Sequence, residues 1–128
     1  MNNRVLEFMP PFTNGEKASI VIGQPTFTSS ALAETRTGLK RPTGVAFDHR
    51  GNLWVADELS NRVLQFTLPF TNGERASIVI GQTSFTASGA HETRTGLDLP
   101  FGVAFDSRGN LWVVDFANNR VLEFTNTG

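Results

Sequence analysis

A chain of 128 residues carrying 11 Lys and Arg against 12 Asp and Glu has the length of one ordinary domain and a formal net charge of -1. That balance argues against nucleic-acid or membrane association driven by bulk charge, and the lack of cysteine excludes disulfides, thiolate catalysis and cysteine-ligated metal centres. No apolar run approaches the roughly 18 residues a membrane-spanning helix needs, so a soluble chain with neither export signal nor anchor is expected, unless it is a piece of a longer exported protein. Its compartment stays unassigned.

The chain opens on Asn3-Arg4-Val5-Leu6-Glu7-Phe8, a strand-length run, followed by a loop over residues 11–16 that holds an Asn14-Gly15 turn. Ile20-Val21-Ile22 is apolar on consecutive residues, hence on both faces of a strand, which fits a sheet buried on both sides. A link of about twenty residues follows, rich in Thr, Ser and Ala. It ends at Pro42, which keeps the preceding residue out of a helix, and a short helical turn near residues 31–34 is the one helical signal in the chain. Gly44-Val45-Ala46-Phe47 and Leu53-Trp54-Val55-Ala56 then flank residues 48–52, a tight hairpin in which Gly51 is free to take positive φ and Asp48 to bond turn amides. A second short hairpin, residues 57–61, leads to Val63-Leu64-Gln65-Phe66. The loop over residues 69–74 repeats the Asn-Gly turn, and Ser77-Ile78-Val79-Ile80 is the next strand.

All of this recurs. Residues 3–60 and 61–118 align without insertion, with 40 identities in 58 positions, and the opening strand returns a third time as residues 119–124. A fixed period marks a repeat architecture whose unit must stack on copies of itself to bury its apolar faces. Four short strands per unit, buried on both sides, describe a β-propeller blade of four antiparallel strands, so an all-β fold is expected with about two blades per chain. So close an identity also fits an excised or engineered fragment.

Pro42-x-Gly44-Val45-Ala46-Phe47-Asp48-x-x-Gly51-Asn52-Leu53-Trp54-Val55-Ala56-Asp57-x-x-x-Asn61-Arg62-Val63-Leu64 resembles the NHL repeat, and Pro100 to Leu122 repeats it almost verbatim. The resemblance covers about half of each unit. It implies a propeller, commonly of six blades on one chain and used mostly as a binding platform, whereas this chain holds about two.

With the innermost strand counted first, the chain reads third, fourth, first, second, third, fourth, first, second, third. Only one blade is complete, and the needs of the two ends are complementary. A head-to-tail ring therefore closes with a blade shared at each junction: a homotrimer gives six blades, and a tetramer with eight satisfies the same count. The expected junction residues are Ile20, Val21, Ile22, Val103, Trp112, Val113, Val121, Leu122 and Phe124. Residues 3–8 and 119–124 compete for one place at each junction. The shorter connection favours 119–124, leaving residues 3–8 displaced or peripheral.

Of the 18 positions that differ between the units, 12 lie in the long link or the second short hairpin, which in a propeller emerge on one rim. A candidate binding rim, for a protein or small ligand, comprises Arg36, Lys40, Arg41, Glu58, Leu59, Arg94, Asp98 and Phe101. Its mixed charge does not favour nucleic acid. Asp48 and Asp106 could converge on a channel cation or simply cap their hairpins, and Asp57 and Asp115 could pair with Arg62 and Arg120. Trp54 and Trp112 read as core residues. His49 and His91 lack copies in the other unit, and no nucleophile elbow or phosphate loop is present. A non-enzymatic, self-assembling scaffold without cofactors is expected; the alternative is a lyase or hydrolase acting in the central channel.

Overall fold

The computed structural model describes residues 1–126. Among them are nine strands in chain order: β1 (Val5–Glu7), β2 (Ile20–Ile22), β3 (Pro42–Phe47), β4 (Leu53–Asp57), β5 (Arg62–Phe66), β6 (Ile78–Ile80), β7 (Pro100–Phe105), β8 (Leu111–Asp115) and β9 (Arg120–Phe124). They form three antiparallel sheets of the order β1-β2, β3-β4-β5-β6 and β7-β8-β9. The fold is all-β, and its sheets of two to four strands are those of a β-propeller fragment.

The middle sheet is packed on both faces. Leu53, Val55, Leu64 and Phe66 project to one side, where they meet Ile22 with Val5 and Ile20 of the first sheet. Trp54 and Val63 project to the other, against Leu111, Val113, Val103, Phe105, Leu122 and Phe124 of the third sheet. Successive strand residues point to opposite faces, so runs such as Leu-Trp-Val-Ala, apolar throughout, are what a doubly covered sheet requires. Neighbouring innermost strands also approach closely. A Cβ on Gly44 would lie 2.8 Å from the Phe101 carbonyl oxygen, so only glycine lets β3 and β7 run side by side.

The turns follow their chemistry. Gly51 and Gly109 take φ of +83° and +82° in the tight hairpins. The second hairpins each contain a 3-10 turn, Glu58–Ser60 and Phe116–Asn118, closed by Asn61 and Asn119 in the left-handed region at φ 53° and 55°, a conformation asparagine tolerates better than most residues. These turns are the helical segments of the described chain; the turn expected near residues 31–34 is absent. There Gln24, itself buried, donates from Nε2 to the Ala31 carbonyl. In the single chain residues 5–7 pair with β2, Val5 opposite Ile22.

Candidate functional site

The third sheet shows one face to the middle sheet and leaves the other bare. Trp54 and Trp112 occupy equivalent places, yet Trp54 is 8% exposed and Trp112 40%; Val63 is 0% exposed and Val121 56%. Val114 and Phe116 extend the same open face. Trp54 packs edge-on against Phe105 with ring centroids 5.5 Å apart. The counterpart of Phe105 one unit earlier is Phe47, which stands 58% exposed beside Val45, also exposed. The chain thus ends in two apolar surfaces, each carrying one half of a contact made internally between its middle and third sheets.

Of the nine junction residues expected from the sequence, Trp112 and Val121 lie on the open face, while Val103, Val113, Leu122 and Phe124 turn inward against the middle sheet. Ile20 and Ile22 likewise pack within the chain, and Val21 is buried, its N–H donating to the Asn72 side chain 3.0 Å away. Alternation along each strand separates the two sets.

The tight hairpins are built around Asp48 and Asp106. Asp48 Oδ1 accepts from the N–H groups of Arg50 (2.9 Å) and Asn52 (3.0 Å), and its Oδ2 accepts from Trp54 Nε1 (2.9 Å). Asp106 repeats the set with Arg108, Asn110 and Trp112. Burial works against ionisation of Asp48, but the indole and the backbone donors outweigh it and hold its pKa below the ordinary value. For Asp106 the Trp112 indole leads, and the pKa falls to about 2. Both carboxylates are occupied as hairpin caps.

At the second hairpins, Arg62 Nε donates to Asp57 Oδ2 at 2.8 Å with both side chains fully buried, and Arg120 repeats the pair with Asp115 at 2.7 Å. Burial pushes the Asp57 carboxyl up, opposed by the Arg62 charge and the Lys40 N–H. A buried pair of this kind is weak evidence of net stability, but its disruption strands a charge.

The rim residues are brought together in part. The N–H groups of Glu58 and Leu59 donate to the carbonyls of Arg41 and Lys40, so the long link and second hairpin share an edge. Lys40 pairs with Glu34 at 2.7 Å, holding that carboxyl below its ordinary pKa, and Arg41 approaches Glu58 at 3.4 Å. Arg36 turns away, its Nε donating to the Ala76 carbonyl and its guanidinium lying 4.4 Å over the Phe85 ring. Asp98 is tied by its backbone to Asp115 and Ala117, while Arg94 is exposed. In the second unit Thr43 and Glu58 are replaced by Phe101 and Phe116, whose exposed rings lie 6.2 Å apart. A polar edge in one unit is therefore an aromatic one in the next.

A cavity of about 380 Å³ opens between the tight hairpins of the middle and third sheets, lined by Asp48, His49, Arg50, Trp54 and Gln65 among others. Its acid is the Asp48 carboxylate already engaged with its own turn. Among the described residues no group of three or more His, Asp or Glu stands close enough to hold a metal ion, and no helix is long and apolar enough to cross a membrane. What sequence reasoning missed is the use made of Asn61: Nδ2 donates to the Ser88 carbonyl (2.8 Å), Oδ1 accepts from Leu99 N (2.8 Å), and its carbonyl accepts from Gln82 Nε2 (2.8 Å). The threefold recurrence of Asn-Arg was the available signal.

Residues 97–124 match the family model of the NHL repeat. No curated protein matches the chain.

Proposed function

From a chain that carries an NHL repeat at residues 97–124 and folds as a propeller-type repeat scaffold, we propose a non-enzymatic, self-assembling protein whose copies join head to tail and share a blade at each junction. Three chains then give six blades. The observation that carries this reading is the pair of unmatched partners. Trp54 and Phe105 touch within the chain, while their counterparts Trp112 and Phe47 stand exposed at opposite ends. Placing Trp112 of one chain on Phe47 of the next repeats a contact the molecule already makes, and it removes from water an apolar face of the kind soluble monomers rarely display. A heterologous contact of this sort closes only when its rotation completes a ring; on this reading each junction repeats the step the chain makes between its middle and third sheets.

Binding of a protein or small ligand at the rim is a secondary role on this reading, with the exposed Phe101 and the half-exposed charges at Lys40 and Arg41 as its chemistry. Alanine at Arg41 and Phe101 tests it: retained ligand binding in the double variant counts against the rim. Channel catalysis draws no support from Asp48 and Asp106, whose carboxylates are spent on their hairpins.

The assembly is tested by Val121→Lys, which places a charge on the bare face without touching the chain's own core. Sedimentation of this variant as a folded monomer, where the unmodified chain sediments as a ring, is the expected result. An unchanged sedimentation pattern would remove the third sheet from the interface.

A further inference from the structure

The Asn-Arg pair at the start of β1, β5 and β9 makes two groups of hydrogen bonds, and only the middle copy, at β5, makes both. Arg62 reaches back along the chain to Asp57, to the Thr35 carbonyl (2.9 Å) and to the Gly38 carbonyl (3.1 Å). It also reaches forward to the Phe85 carbonyl, while Asn61 reaches forward to Ser88, Leu99 and Gln82. At the N-terminal end only the forward group exists. Arg4 donates to the Phe27 carbonyl, Asn3 Nδ2 donates to the Ser30 carbonyl (3.0 Å), Asn3 Oδ1 accepts from Arg41 N (2.9 Å), and the Asn3 carbonyl accepts from Gln24 Nε2 (2.9 Å). At the C-terminal end only the backward group exists: Arg120 donates to Asp115, to the Thr93 carbonyl (2.7 Å) and to the Gly96 carbonyl (3.2 Å). Among the described residues the Asn119 side chain has no hydrogen-bond partner, and Arg120 has no equivalent of the Phe85 bond.

The two half-sets add up to one whole. We propose that on ring closure residues 119–124 of one chain displace residues 3–8 of the next chain from β2, so that Asn119 and Arg120 take over the groups on Phe27, Ser30, Arg41 and Gln24 that Asn3 and Arg4 hold in the single chain. This rests on the head-to-tail reading above and adds the strand that leaves, the strand that enters and the register. By equivalence with Val63 opposite Ile80 and Leu64 opposite Val79, the new pairing sets Val121 opposite Ile22 and Leu122 opposite Val21.

The exchange is close to balanced on the β2 side, since identical residue types meet identical donors and acceptors. The driving force lies elsewhere. One Asn-Arg pair now satisfies both groups, the bare face carrying Trp112 and Val121 is covered, and the released Asn3 and Arg4 are hydrated, which costs little for polar groups passing to water. β1 is thereby a placeholder that keeps the β2 edge from pairing with other strands until a second copy arrives.

Because the chain has no cysteine, paired cysteines read the exchange directly. Directly opposed residues in an antiparallel pair have Cα atoms about 4.5–5.5 Å apart, within the span of a disulfide. In the full-length chain, Ile22→Cys with Val121→Cys links different chains on oxidation, since β2 and β9 lie on opposite sides of the middle sheet. The expected product on non-reducing denaturing gels is a covalent ring of chains that returns to single chains on reduction. Val5→Cys with Ile22→Cys instead locks β1 in place; it is expected to be monomeric when oxidised and to regain the ring when reduced, and the reduced sample reports that the variant folds. A ring that persists in the oxidised lock, together with no cross-link in the first variant, overturns the exchange while leaving head-to-tail assembly standing. An unmodified chain that never associates overturns both.

Discussion

The middle and third sheets share nearly one sequence and meet different surroundings. β4 and β8 read Leu-Trp-Val-Ala-Asp and Leu-Trp-Val-Val-Asp, yet every residue of β4 is buried, whereas β8 alternates between buried and exposed. β5 is buried throughout, and β9, its twin, is not buried at any position. Burial here is a property of the neighbour and not of the strand. A residue chosen for a doubly covered sheet keeps its identity where one cover is missing, so the missing cover can be located residue by residue.

This contrast can be broken at several points. The largest effect is expected at Arg62→Met, which strands the fully buried Asp57 and costs about 3–5 kcal/mol by chemical denaturation. Arg120→Met should cost less in the dilute single chain, because solvent reaches 27% of the Arg120 side chain. Next, Trp54→Ala should cost about 3–5 kcal/mol through the cavity it leaves, while Trp112→Ala should leave the single chain almost as stable and weaken association in sedimentation. Equal losses at both tryptophans would mean that the third sheet is covered by something within the chain.

Gly44→Ala should follow, at about 1–3 kcal/mol, since its Cβ would press on the Phe101 carbonyl. Gly102→Ala meets nothing nearer than a Val114 methyl at 3.6 Å, so it should fold normally, and in the ring it should interfere with the next chain's Thr43, the counterpart of Phe101. The smallest effect is on pH dependence. Asp48 and Asp106 have depressed pKa values, Asp106 at about 2, so their contribution to stability is complete above the ordinary aspartate value of about 3.9 and fades as pH falls towards 2. Asp57, raised by burial, slopes the opposite way just above its ordinary value. Because the capped carboxylates accept from the two indoles, tryptophan emission should change across that acid window before the chain unfolds, and Asp106→Asn should remove the Trp112 share of the change.

Much of this fold was legible in the sequence because turn chemistry sets its punctuation. Gly51 and Asp48 announced the tight hairpin, and the apolar runs between turns fell where the strands are. The 3-10 turns at Glu58–Ser60 and Phe116–Asn118 were not legible, since three residues give no helical period to detect. The candidate site was half legible. Counting strands found the incomplete third sheet, but assigning faces needed the pleat: Val113 and Val121 are both apolar β-strand residues, and only packing shows that one is buried and the other bare. The split of the Asn-Arg bonds was hidden for a related reason. Three identical dipeptides differ only in what the chain places before and after them.

The most direct test of the shared-blade account is the native mass of the unmodified chain in solution across a wide concentration range. The account predicts a single species with the mass of three chains, giving way to monomer only on dilution. A monodisperse monomer at every concentration would contradict it.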